Sequence, residues 1–161
     1  MKNKLNILLL TSFLLALTLA IWVYYQTTHR IGDIQFDKTI DNSEFIVCNE
    51  DRITQYYSVE TNYQGGEKNI KKELNELINN LNFNESGFIT YRFVVNCKNE
   101  VGRFRIKMVN SDLKENSFKS NNIKQIQESI KGLNGWEAGK LIDSYYVLNF
   151  KIQNGKITDI F

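Results

Sequence analysis

The chain has 161 residues, with 20 Lys+Arg against 18 Asp+Glu, one His and no Pro, enough for one domain of ordinary size. Lys2 and Lys4 account for the whole formal excess of +2, so the rest is neutral overall. That argues against a nucleic-acid partner, which needs surplus positive charge. A single His without metal-ligand or Ser/His/Asp spacing offers no basis for an enzyme, a metal or a cofactor.

Ile7 to Tyr25 is an uncharged apolar run of 19 residues, close to the ~20 that cross a bilayer as a helix. Lys2 and Lys4 precede it, which places the amino terminus in the cytoplasm. Trp22, Tyr24 and Tyr25 sit where an interfacial aromatic belt belongs. Thr18-Leu19-Ala20 is a poor signal-peptidase site and the apolar run continues past it. Residues 1–25 therefore read as an uncleaved single-pass signal anchor in the inner membrane, with secretion after cleavage as the alternative. Residues 26–43 are polar and read as a stalk, and 44–161 as one periplasmic domain.

Within that domain Phe45-Ile46-Val47-Cys48 suggests a strand or an ordered lead-in, Asn49-Glu50-Asp51 a turn, and Ile53 to Val59 a short element. Ile70, Leu74, Leu77, Ile78 and Leu81 form one apolar stripe and predict a helix over 67–81. Ile89, Tyr91, Phe93, Val95 and Cys97 alternate with polar neighbours, as do Phe104, Ile106 and Met108 with Arg103, Arg105 and Lys107. This predicts a hairpin turning at 98–102, with a buried aromatic face and a basic open face. Ile123, Ile126, Ile130 and Leu133 predict a second helix, N-capped by Asn121 or Asn122 and bracketed by Gly132 and Gly135. Tyr146, Leu148, Phe150 and Ile152 line a strand, Asn154-Gly155 makes a type I′ turn, and 157–161 returns. The expected fold class is α+β: an antiparallel sheet with two helices packed on one face, preceded by a single transmembrane helix.

Several features carry candidate chemistry. Arg92, Arg103, Arg105, Lys107 and Lys151, with Tyr145 beside them, form a candidate basic partner-binding face; the bland reading is a solvated face with scattered ion pairs. Cys48 and Cys97 both follow the anchor. Bonded, they would close a loop of about 50 residues, worth ~4 kcal/mol on the chain-entropy model; two separate buried thiols remain equally open. Asp41, Glu44, Glu50 and Asp51 lack the spacing of a cation loop. Gly65-Gly66-Glu67-Lys68 lacks the spacing of a phosphate loop. Trp136 reads as a core-closing residue.

From Tyr63 to Ile152 the order of motifs resembles the carboxy-terminal domain of TonB-type energy transducers, in the form common in Bacteroidetes. The residues that carry the likeness are Tyr63-Gln64-Gly65-Gly66-Glu67, Gly87 to Val95 with Phe93, Trp136-Glu137-Ala138-Gly139 and Tyr146 to Phe150. The resemblance implies structural roles for Gly65, Gly66, Gly87, Phe93, Trp136, Gly139 and Phe150. It also implies recognition of an envelope protein or peptide by strand addition to a free sheet edge. The chain departs from the family pattern in having no Pro-rich linker, no ionisable group within the apolar run, and Ala138 in place of a Pro. A stalk of roughly 20 residues reaches only ~70 Å. The expectation is accordingly a membrane-anchored binding module without force transduction. A shortened transducer and an envelope protein that oligomerises through its sheet edge are the alternatives.

Overall fold

The computed structural model describes residues 2–28 and 34–161. They fall into two compact units, Met1–Gln35 and Phe36–Phe161. Residues 36–43, read from composition as stalk, thus belong to the folded unit, while His29 lies outside the described residues.

In the first unit helix α1 spans Lys2–Thr28. Its segment Asn6–Tyr25, 20 residues of mean hydropathy 2.3, is long and apolar enough to cross a membrane. The hydroxyls of Thr11, Ser12 and Thr18 donate to the carbonyls of Leu8, Leu9 and Leu15, each at 2.9 Å, so these polar groups are satisfied within the helix.

The second unit is α+β. Its elements in chain order are β1 (Thr54–Gln55), α2 (Tyr56–Val59), β2 (Asn62–Tyr63), α3 (Gly66–Ile78), β3 (Gly87–Val95), β4 (Val101–Asn110), α4 (Ser120–Gly132), β5 (Trp136–Glu137), β6 (Ser144–Gln153) and β7 (Lys156–Ile160). Strand β6 is central. It pairs antiparallel with β3 from Gly87↔Ile152 to Val95↔Ser144, and β3 pairs antiparallel with β4. On its other side β6 takes β7 antiparallel and, at its start, β1 in parallel. The expected all-antiparallel sheet therefore carries one short parallel pair, because the segment after the 3-10 turn Glu50–Arg52 meets β6 where Asp143 accepts the Thr54 N–H at 3.1 Å. The lead-in 45–48 is ordered coil, not strand.

Alternation decides which sheet face is buried. Ile89, Tyr91, Phe93, Leu148, Phe150 and Ile152 share one core with Ile70, Leu74 and Ile78 of α3 and Ile123, Ile126 and Ile130 of α4. Leu77, expected on the α3 stripe, is 51% exposed because it lies on the flank of that face. Helix α4 starts earlier than its Asn pair suggested: Lys119 occupies the N-cap position, and Asn122, inside the helix, spends its amide on the Asn82 carbonyl at 2.7 Å. The Tyr91 hydroxyl donates to the Ile123 carbonyl at 2.8 Å, and burial pushes its pKa upward.

The aromatic motif closes the core beside the main sheet. Strands β2 and β5 pair so that Tyr63 stands opposite Trp136, with their rings edge-on at 5.0 Å. Trp136 also meets Phe93 at 5.3 Å and Tyr146 at 4.9 Å. The Tyr63 hydroxyl donates to Glu73 at 2.6 Å; burial first, then this bond, raises its pKa to about 12. Gly65 takes positive φ ahead of α3 and Gly66 does so at its first position, while Asn154 and Gly155 do so between β6 and β7, as a type I′ turn requires. Gly139 answers to a steric demand: a Cβ there would lie 1.6 Å from the Val59 carbonyl oxygen.

Gly139→Ala should therefore destabilise the domain by up to ~3 kcal/mol. Gly132→Ala, whose Cβ meets nothing within 4 Å, should be neutral or stabilising by up to ~1 kcal/mol. Denaturant melts of both variants check this; equal effects would contradict the packing described.

Candidate partner-binding surface

Away from the helices, the sheet carries the basic residues that alternation assigns to it. At the end nearest residues 96–100, this face is covered by residues 36–52. Asp37 opens that segment with a side-chain turn: its Oδ1 accepts the Thr39 N–H at 2.9 Å and the Thr39 hydroxyl at 2.7 Å, and its carbonyl accepts the Asp41 N–H at 2.8 Å. The turn delivers Asp41 to Arg105, whose Nη1 and Nη2 meet Oδ1 and Oδ2 at 2.8 and 2.9 Å in a fork. Further along, Arg103 forks to Glu50, with Nη1–Oε2 at 2.7 Å and Nη2 bonded to Oε1. Arg103 has φ +53° and forms, with Phe104, a bulge opposite Phe93. Its guanidinium lies 5.6 Å above the Phe36 ring.

Three further ties hold the segment. Cys48 and Cys97 are bonded, with Cα atoms 6.1 Å apart. The carboxylate of buried Asp143 accepts the Asn49 N–H at 2.7 Å on one oxygen and the Cys97 N–H at 3.0 Å on the other. Phe45 packs flat on Gly102, where a Cβ would come within 2.3 Å of its ring. Donor atoms of Cys48, Cys97 and Asp143 lie within 4.8 Å of one another; here the sulfurs are bonded and both carboxylate oxygens already accept N–H groups.

The six residues proposed as a partner-binding face thus separate. Arg103 and Tyr145 are buried, and Arg105 is held by Asp41. Burial raises the Tyr145 hydroxyl to about 12, and it has no hydrogen-bond partner among the described residues. Arg92 and Lys151 are half-buried, and only Lys107 of the six is exposed. The basic face is largely an internal clamp because acids distant in sequence, Asp41 and Glu50, meet its arginines. Composition lists those acids but gives no register for them; the one local signal is Gly102, which the sequence pattern assigns to the turn 98–102 but which lies inside β4, where a Gly marks close approach by another segment.

What remains open is the edge of β4. A groove of about 580 Å³ follows Val101 to Ile106, walled by Ile40 and Phe45 on one side and by Gln127 and Lys131 on the other. Beyond it the edge is occupied: the Met108 carbonyl accepts the Asn116 N–H at 3.1 Å, and the Asn110 N–H donates to Lys114 at 2.9 Å. Residues two apart in a strand point their backbone groups the same way, so those of Ile106 also face away from β3. Among the described residues nothing pairs with them. The Phe104 carbonyl is capped by Arg105 Nη1 at 2.9 Å. The free edge therefore includes an open rung at Ile106, set in a groove.

Comparison with family models, curated proteins and solved structures gives no match.

The clamp carries a pH signature. The Arg103 hydrogen bonds hold the Glu50 carboxyl below the usual Glu range. Burial pushes the Asp41 carboxyl up, but hydrogen bonds from Arg105 and the Asp37 N–H outweigh it and leave it lowered. The folded state therefore binds fewer protons than the unfolded chain in this range. The stabilisation is present above the ordinary carboxylate pKa and is lost as pH falls through the lowered values. Chemical denaturation from pH 6 to pH 3 should show this decline, and Asp41→Asn with Glu50→Gln should flatten it.

Proposed function

We propose that the protein is a membrane-anchored, extracytoplasmic module that binds an extended segment of an envelope protein or peptide by strand addition to β4. The observation that carries this reading is the open rung at Ile106 inside a groove with one apolar wall, Ile40 and Phe45. Main-chain bonds at such an edge supply affinity while pockets on either side select side chains. An incoming strand would pass Ile40 and Phe45 on one face, and Phe104, Gln127 and Lys131 on the other. Lys131, paired with Glu128 at 2.8 Å and 5.7 Å from the Phe104 ring, borders that second row.

Two observations favour an oxidising compartment and an anchor. The Cys48–Cys97 bond is of a kind that persists outside the cytoplasm, and Asn6–Tyr25 has the length of a membrane span. With the arginines engaged by Asp41 and Glu50, recognition through a basic sheet face loses ground to recognition through the edge. The TonB-like order of motifs between Tyr63 and Ile152 agrees with strand addition, and the lack of an ionisable group in the span favours binding without force transduction.

Ile106→Pro tests the reading. Pro is tolerated on an edge strand where its nitrogen faces outward, so the fold should survive while capture of peptides from an envelope-derived library is lost at least tenfold. Ile106→Val, which keeps the N–H, should bind as the parent does. Equal binding by all three would refute strand addition at β4. A parent chain that is dimeric and becomes monomeric with Ile106→Pro would show that the edge pairs with a second copy instead.

A further inference from the structure

We propose that the segment taken up by β4 is acidic: an extended run with an apolar residue beside Arg105 and carboxylates opposite Ile106 and Lys107. The proposal rests on strand addition at β4 and adds the chemistry of the partner.

Register decides which wall each incoming side chain meets. Ile106 lies opposite Tyr91 and packs against the core, so its side chain is on the helix side of the sheet. Arg105 and Lys107, one residue either way, lie on the other face. Side chains directly opposite one another in paired strands share a face. The residue set against Ile106 therefore points toward α4, and its two neighbours point toward the open face.

On the α4 side the wall is Gln127 and Lys131. Lys124 precedes Gln127 by one turn on the same helix face. The acid of this wall is Glu128, which bonds Lys131 at 2.8 Å, the two side chains 67% and 40% exposed. Two lysines thus share one carboxylate, and an ion pair so open to water is weak enough to yield to another acid.

The open face is divided. The incoming residue beside Arg105 meets Phe45 and Ile40, which is 62% exposed, and Arg105 itself is already neutralised by Asp41. That position calls for an apolar side chain. The incoming residue beside Lys107 meets a lysine that is exposed and has no carboxylate partner among the described residues. Glu115, across from Val109, has Lys114 beside it in the chain and leaves the cationic balance standing.

The same charges disfavour a second copy as the occupant. Two copies joined antiparallel about Ile106 would set Lys107 of each against Arg105 of the other, cation opposite cation. Edge lysines of this kind exclude self-pairing while admitting a strand of opposite charge.

The test is fluorescence polarisation with the full chain in detergent micelles and dye-labelled peptides blocked at both ends. The probes carry Val-Glu-Glu or Glu-Glu-Val within Ser/Thr flanks, one order for each strand direction, and each has a counterpart with Lys for Glu. One acidic probe should bind roughly fivefold or more tighter than its Lys counterpart, with the difference narrowing in high salt. Lys107→Glu with Lys131→Glu should invert that preference, and Ile106→Pro should abolish binding of both. Equal binding of Glu and Lys probes, or tighter binding of the Lys probes, with loss in Ile106→Pro, overturns the acidic partner alone. So does an acidic preference that the double charge reversal leaves unchanged. Binding that Ile106→Pro does not weaken, or no binding of any probe, overturns strand addition at β4 together with it.

Discussion

Arg103 lies on an edge strand with its side chain only 3% exposed. A guanidinium so nearly removed from water is costly unless a carboxylate meets it. Glu50 is that carboxylate, and it comes from a segment more than fifty residues earlier in the chain. Bringing it there lays residues 36–52 across one end of the sheet. Once laid, the segment is fixed at other points: Asp41 forks onto Arg105, Phe45 takes the space left by Gly102, and Asp143 binds the N–H groups of Asn49 and Cys97 from either side of the disulfide. Each tie shortens the loop that the next must close, so they reinforce one another.

The same clamp shapes the surface on which a partner would act. It removes two arginines from the solvent face and supplies, through Ile40 and Phe45, one wall of the groove along β4. The bulge at Arg103 and Phe104 and the return of residues 114–116 onto β4 occupy the edge on both sides of Ile106. An edge strand with a long free ladder invites aggregation, and bulges and covering segments are the usual protection. Here the protection is partial, and the rung at Ile106 is left open between an apolar wall and a polar one.

Much of this fold was legible in the sequence because its signals are local. The two-residue alternation from Ile89 to Val95 and from Tyr146 to Ile152 fixed the core face of the sheet, and the spacing of Ile70, Leu74 and Ile78 placed α3. The Asn154-Gly155 turn was readable from its residue types. What failed was non-local. Asp41 and Glu50 lack the spacing of a cation loop and carry no local signal that they fold back on β4. Asp143 gave no motif, yet it joins three segments. Asn122 resembled an N-cap until its amide was needed by the Asn82 carbonyl. The cover over the basic face was illegible for the same reason: alternation says which way Arg103 points, not what comes to cover it.

The central claim is that the backbone rung of β4 at Ile106 stays unpaired between protected stretches of the edge. Amide hydrogen exchange in the full chain tests it most directly. The account predicts slow exchange at Lys107 and Val109, whose groups face β3, and fast exchange at Ile106 between Arg105 and Lys107. Protection of Ile106 equal to that of Lys107 would mean that something already pairs with the edge, and would contradict the binding site proposed here.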